Sequence, residues 1–313
     1  IKSIRKQTGS YYTPRKVILE MINDSLNLYL SKYISTHYPD VKDTKTKVND
    51  LVYYNLHDDK NPSFDSAVVD ALDKYKVLDP ACGSGAFPMG MLHRMVDILK
   101  KVDTNNDKWV ELKLKNVDKA QQADFNKVLT SHLDDYGRKL GIIRDSIYGI
   151  DIQPLAVQIT KLRFFISLLI DQKTEKGITP MPNIETKIIC ADSLKNVKTD
   201  MFSNDAITKL TDARNRYYQP DISQEERYTI AEEIIVTLDT AFPSFAYQIT
   251  GKRIAGQNKE LIRHWFTHGT IAAPFFNMEF FYPELTECGG FDCVIGNPPY
   301  GGVKISDDVR NNL

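Results

Sequence analysis

The chain has 313 residues, 42% of them apolar and 26% charged, with 40 basic against 41 acidic side chains and a formal net charge of -1. That length suggests roughly two domains and leaves enough chain to bury a sizeable core, while the composition excludes collagen-like, low-complexity and wholly disordered classes. The balanced charge gives no global pull toward nucleic acid or an anionic membrane, so a polyanion would have to be read by a local patch.

Cys82, Cys190, Cys288 and Cys293 contain no CxxC pair and no histidine at zinc-finger spacing, so no disulfide framework or structural zinc is expected and a reducing cytoplasm fits best. The longest apolar run, near Phe164 to Ile170, is far shorter than the roughly 20 residues of a bilayer span, and Ile1-Lys2-Ser3-Ile4-Arg5 opens no signal peptide. No membrane partner is expected. An opening residue other than Met, and a motif close to the end that usually sits mid-domain, predict a piece of a longer polypeptide.

The first organised segment is Gly9-Ser10-Tyr11-Tyr12-Thr13-Pro14, followed by Val17, Ile18, Met21, Ile22, Leu26, Tyr29 and Tyr33 at helical spacing. Thr13 as N-cap and Pro14 as first helical residue mark the start. Lys76-Val77-Leu78-Asp79-Pro80-Ala81-Cys82-Gly83-Ser84-Gly85 predicts a short buried strand running into a glycine turn, with a helix through Met89, Leu92, Met95, Val96 and Leu99. About 101–143 is charged and predicts a helical or irregular insertion anchored by Trp109.

Ile147 to Asp151 predicts a second strand, with Pro154 opening an apolar helix through Val157, Ile159, Leu162, Phe165, Ile166 and Leu169. Lys187 to Asp192 predicts a third strand and Phe291 to Gly296 a fourth, separated by about 100 residues of mainly helical pattern that look inserted. Alternating strands and helices with apolar strands predict an α/β fold built on a doubly wound, mostly parallel sheet.

Chemistry concentrates at the ends of these strands. Asp79, Pro80, Ala81, Gly83, Ser84 and Gly85 form a turn that lets a ligand approach the backbone, in the crevice outside the strands' carboxyl ends. The dinucleotide fingerprint would want a glycine at position 88, where Pro88 stands, so a nucleoside without a pyrophosphate fits better. Asp151 ends the second strand, where it can accept from a ribose diol or cap the next helix, and Asp192 ends the third, where it can take an adenine amine.

Asn297-Pro298-Pro299-Tyr300 follows the fourth strand. The exocyclic amine of a flat ring is a poor nucleophile because its lone pair is delocalised. Two acceptors that draw it toward tetrahedral geometry help more than a base. The Asn297 side-chain oxygen and the Pro298 carbonyl can be those acceptors, fixed by two prolines, and Tyr300 can stack on the ring.

Other candidates are weaker. Glu111-Leu112-Lys113 has a nuclease-like shape that arises easily by chance. Cys82 has no visible histidine partner, and His264 and His268 lack a third ligand, so no metal is expected. Lys252-Arg253 and Arg214-Asn215-Arg216 could touch phosphates or simply form a solvated face.

Taken in order, these blocks resemble the γ-type adenine-N6 DNA methyltransferases of restriction-modification and phage-defence systems, in particular the large type IIG-like enzymes. Gly9 to Pro14 resembles motif X, Asp79 to Gly85 motif I, Tyr148-Gly149-Ile150-Asp151 with Ile152 motif II, Ala191-Asp192-Ser193-Leu194 motif III, and Asn297 to Tyr300 motif IV. The resemblance implies a Rossmann-like class I S-adenosylmethionine-dependent fold with helical insertions. Cofactor contacts are implied from Tyr12, Thr13, Pro14, Asp79, Pro80, Ala81, Gly83, Ser84, Gly85, Asp151, Ile152, Asp192, Ser193 and Asn297. Catalytic residues are implied at Asn297, Pro298, Pro299 and Tyr300.

The implied substrate is double-stranded DNA with a flipped adenine, and the implied layout has a target-recognition domain C-terminal of this chain and a possible nuclease elsewhere. The expected division is a helical segment with motif X over 1–75, a cofactor-binding half over 76–194 with its insertion at about 101–143, a helical insertion over 195–290, and a truncated catalytic half over 291–313. The Asn-Pro-Pro-Tyr block also occurs in enzymes that methylate a glutamine amide of release factors, which is the alternative substrate. A non-catalytic cofactor- or DNA-binding subunit is the alternative class.

Overall fold

The computed structural model describes residues 13–57, 61–115, 135–171, 184–195, 204–217, 222–252, 256–285 and 289–298. Its centre is a four-stranded sheet of β1 (Val77–Asp79), β2 (Ile147–Asp151), β3 (Ile188–Cys190) and β4 (Cys293–Val294), all pairs parallel, in the order β3-β2-β1-β4. Short apolar runs form these strands because both faces are covered, so almost every side chain can be apolar.

The period-2 alternation sorts the strands into two layers. Val77, Ile147, Ile188 and Cys190 join one core with α1 (Arg15–His37), α2 (Thr44–Tyr53), α3 (Pro62–Lys74), α4 (Ala86–Val102), α5 (Asp107–Lys115), α6 (Asp135–Asp145) and α7 (Pro154–Leu169). Leu78, Tyr148, Ile150 and Ile189 face the other way. They pack with α8 (Asn204–Tyr217), α9 (Gln224–Ala241), α10 (Phe245–Thr250), α11 (Gln257–Arg263), a π-helical turn (His264–His268) and α12 (Met278–Phe281). The helices that precede β4 therefore wall that face over β1, β2 and β3, while Val294 of β4 stays 63% exposed.

Several local expectations shift. The first helix begins at Arg15, with Pro14 in extended backbone at the cap position and no side-chain cap, so Thr13 does not cap it. Proline's fixed φ suits the cap position as well as the first turn. β4 is shorter than its apolar run: among the described residues only Cys293 and Val294 pair, both with β1.

Around the expected insertion at about 101–143, Trp109 and Tyr136 are both fully buried. Lys113 is buried there between Asp73 and Asp145, 2.6 Å from the latter, with its ammonium over the Trp109 ring. Burial opposes the charge on Asp145, yet Lys113 and Arg144 hold its carboxyl well below the usual range. The lysine of the nuclease-like tripeptide is thus a structural ion.

Candidate active site

The sheet order puts β2 on one side of β1 and β4 on the other, so the chain reverses direction across the sheet between β1 and β4. A crevice opens at such a switch point, outside the carboxyl ends of the strands. The segments after β1 and β4 both lie there.

After β1 the backbone turns sharply. Cys82 N–H donates to the Ile150 carbonyl at 2.8 Å and Gly85 N–H to Cys82 at 2.8 Å, closing the turn against β2. Gly83 and Gly85 have φ of +54° and +82°, where a side chain would be strained. A Cβ on Gly83 would meet nothing within 4 Å, so that glycine fronts open space, whereas one on Gly85 would lie 2.8 Å from Thr160 Cγ2.

Asp79 is the buried carboxylate of the crevice. Its Oδ1 accepts from Ala81 N–H at 3.1 Å, while its Oδ2 is buried without a hydrogen-bond partner. Burial, with a smaller push from the charge on Asp151, drives the carboxyl up to about 7 against the pull of the Ala81 N–H. A Cβ on Gly296 would come within 2.5 Å of Asp79 Oδ1, so the absence of a side chain there lets the strand before Asn297 approach this carboxylate.

Asp151 is a local organiser as well as a ligand candidate. Its Oδ2 accepts from Gly83 N–H and its Oδ1 from Gln153 N–H, each at 2.8 Å, so it ties the glycine turn to the end of β2. Ile152 beside it is exposed. Asp192 Oδ1 accepts from Leu194 N–H at 3.2 Å, and Ser193 donates its hydroxyl to the Pro80 carbonyl at 2.9 Å, which fastens the third strand end to the first.

The segment before α1 and the segment after β4 meet at Asn297, whose Nδ2 donates to the Thr13 hydroxyl at 3.0 Å. The carboxamide nitrogen is thereby turned toward Thr13, leaving Oδ1 to accept elsewhere. Pro298 is exposed at the crevice rim. Tyr12, Pro299 and Tyr300 lie outside the described residues.

Two supporting residues were not foreseen. Thr160 donates its hydroxyl to the Gly83 carbonyl at 2.9 Å, and Arg163 donates to the Ser84 carbonyl at 2.7 Å, so α7 holds the glycine turn from beneath. A signal existed: they are polar residues three apart, hence on one side of a mainly apolar helix. Of the basic clusters, Arg214 is buried and donates to the Phe281 carbonyl at 2.6 Å, and Arg216 pairs with Glu233 at 2.8 Å. Neither guanidinium is presented to a phosphate. A cavity of about 240 Å³ beside β3, lined by Lys161, Trp265, Phe266 and His268 among others, shares none of the crevice residues.

A parallel sheet with helices on both sides, and with a glycine turn and an Asn-Pro corner at its switch point, defines an α/β chain whose candidate ligand crevice lies outside the strands' carboxyl ends. Residues 145–312 match the family model described as Eco57I restriction-modification methylase, and the chain belongs to that family. A protein of Methanocaldococcus jannaschii described as "Putative type II restriction enzyme and methyltransferase" is 30% identical over 207 residues. The match covers 61% of this chain and 15% of that protein, so the chain spans a small part of the relative's length. No solved structure matches it. Among the described residues no helix is long and apolar enough to cross a membrane.

Proposed function

We propose that this chain carries the cofactor-binding and catalytic elements of an S-adenosylmethionine-dependent methyltransferase, Rossmann-like and of class I, that modifies the N6 amine of adenine in DNA. The observation that carries this is the convergence of Asp79 and Asn297 on one crevice, with Gly296 in contact distance of the first and Thr13 bonded to the second.

The residues fit such a cofactor. S-adenosylmethionine supplies an electrophilic methyl group on a sulfonium and carries a free ammonium. The buried, unpartnered Asp79 Oδ2 is a ready acceptor for a cation, and open space fronts Gly83. Asp79, Pro80, Ala81, Gly83, Ser84 and Gly85 would hold the methionine end with Tyr12, Thr13 and Pro14. Asp151 keeps lone-pair sites beyond its two backbone bonds for a ribose diol, with Ile152 as an apolar platform, and Asp192 and Ser193 flank the nucleobase.

The substrate would be an adenine flipped out of the duplex, since its amine is out of reach in the stack. Asn297 Oδ1 and the Pro298 carbonyl accept from that amine and localise its lone pair, and Tyr300 stacks on the ring. The nitrogen forms a bond to the methyl carbon as the carbon–sulfur bond breaks. The electron pair stays on sulfur, and the amine releases one proton. Orientation supplies most of the rate.

The test is methylation by the full-length protein with labelled cofactor and duplex DNA, followed by nucleoside analysis. Labelled N6-methyladenine that vanishes with Asn297→Ala is the expected result. Label in protein glutamine instead, or cofactor binding without transfer, would overturn the assignment.

A further inference from the structure

A backbone N–H that finds no partner within the protein is left for water or for a ligand. In the turn after β1, Ala81 N–H donates to Asp79, Cys82 N–H to the Ile150 carbonyl, Gly83 N–H to Asp151 and Gly85 N–H to the Cys82 carbonyl. Four of these five consecutive donors are therefore used in shaping the turn. The fifth, Ser84 N–H, has no partner among the described residues, and Ser84 is exposed.

Thr160 decides where that N–H points. It is fully buried on α7 and donates its hydroxyl to the Gly83 carbonyl at 2.9 Å. The Gly83–Ser84 peptide is trans, so its C=O and N–H lie in one plane and point in opposite directions. With the oxygen drawn onto α7, the Ser84 N–H is aimed away from that helix. A peptide beside a glycine rotates readily, and the hydroxyl holds this one in a single orientation. A Cβ on Gly83 would meet nothing within 4 Å, so ligand atoms have room at this peptide.

S-adenosylmethionine ends in an α-amino acid, with its ammonium and carboxylate on one carbon. With the ammonium at the buried, unpartnered Asp79 Oδ2, the carboxylate stays within the same turn, and an N–H donor is what it needs there. Resting on that cofactor reading, we infer that Thr160 is a positioning residue for cofactor binding: its hydroxyl fixes the Gly83–Ser84 peptide so that the Ser84 N–H donates to the carboxylate of the methionine end. Thr160 touches no ligand itself and acts through the peptide that it holds.

The experiment is calorimetric titration of the full-length protein with S-adenosylhomocysteine and with 5′-methylthioadenosine. Both are neutral thioethers of adenosine, and they differ in that only the first carries the amino acid end. Thr160→Val should weaken S-adenosylhomocysteine by about two- to twelvefold, the worth of one hydrogen bond, and leave methylthioadenosine unchanged. Thr160→Ala, which also lacks the hydroxyl but places no methyl against the carbonyl, should show the same selective loss. Thr160→Ser keeps the hydroxyl and should keep the wild-type ratio of the two affinities. A partly unfolded variant lowers the binding stoichiometry for both ligands and not that ratio, so a merely structural role for Thr160 leaves it unmoved. An unchanged ratio in Thr160→Val and Thr160→Ala, or an equal loss in Thr160→Ser, would overturn the proposal while the cofactor reading stands. A wild-type protein that binds neither ligand would overturn the cofactor reading, and the role of Thr160 with it.

Discussion

The perturbed carboxyl of Asp79 makes the cofactor assignment testable by pH alone. In the free protein burial drives it up to about 7 from an ordinary value of 3.8. Because the folded value lies above the unfolded one, the folded chain binds more protons between those values, and stability falls as pH rises from about 4 to 7. The cost of ionising this group is of the order of 4 kcal/mol above pH 7. A bound cation should recover part of it. A cofactor that draws the carboxyl back by about one to two pH units would bind roughly seven- to twentyfold more tightly at pH 8 than at pH 5.5. Isothermal titration of S-adenosylmethionine across that range, on wild type and on Asp79→Asn, reads this directly. The amide keeps an acceptor for Ala81 N–H but cannot ionise, and subtracting its profile removes the ligand's own titration. The expected result is a rise in wild-type affinity that levels off near pH 7 and a flat profile for Asp79→Asn after the ligand is accounted for. Identical profiles for the two proteins would refute the placement of a cation at Asp79.

Other outcomes follow from single contacts. Thr13→Val removes the acceptor that orients Asn297, and a lost hydrogen bond of about 0.5–1.5 kcal/mol predicts a two- to twelvefold fall in kcat; Thr13→Ser should restore it, and Thr13→Val should add nothing on an Asn297→Ala background. Gly85→Ala combines a positive φ with a Cβ 2.8 Å from Thr160 Cγ2 and 2.9 Å from its Oγ1, and should destabilise the fold by about 1–3 kcal/mol, read by chemical denaturation; the double variant with Thr160→Ser should recover at most the part of the clash owed to Cγ2. Lys113→Met leaves the buried Asp73 without its ammonium partner and Asp145 with Arg144 alone, and should cost about 3–5 kcal/mol at pH 7, read by chemical denaturation.

The local blocks were legible because their physics is local. A buried strand must be apolar, a turn with positive φ favours glycine, and an Asn-Pro pair stops a strand. β2 therefore matches its sequence limits of Ile147 and Asp151, and the glycine turn falls at Gly83 and Gly85. The helical pattern between β3 and β4 was equally visible as helix, but its place as the wall of one sheet face was not, since a helix's periodicity says that it buries a side and not what lies against it.

Pairing across the chain was decided by the tertiary structure. Thr13 reads as a helix cap because capping depends on its neighbours alone, yet its partner is Asn297, 284 residues away. Asp151 reads as a ribose ligand, yet it also ties down Gly83 across the β1–β2 register. The shift of Asp79 arises from packing by distant segments, and no sequence window encodes how deeply a carboxylate will be buried. Sequence determined which elements form and which residues end the strands, because those depend on short-range sterics and apolar periodicity. The sheet order and the crevice between β1 and β4 depend on contacts between distant segments, and the folded chain alone decided them.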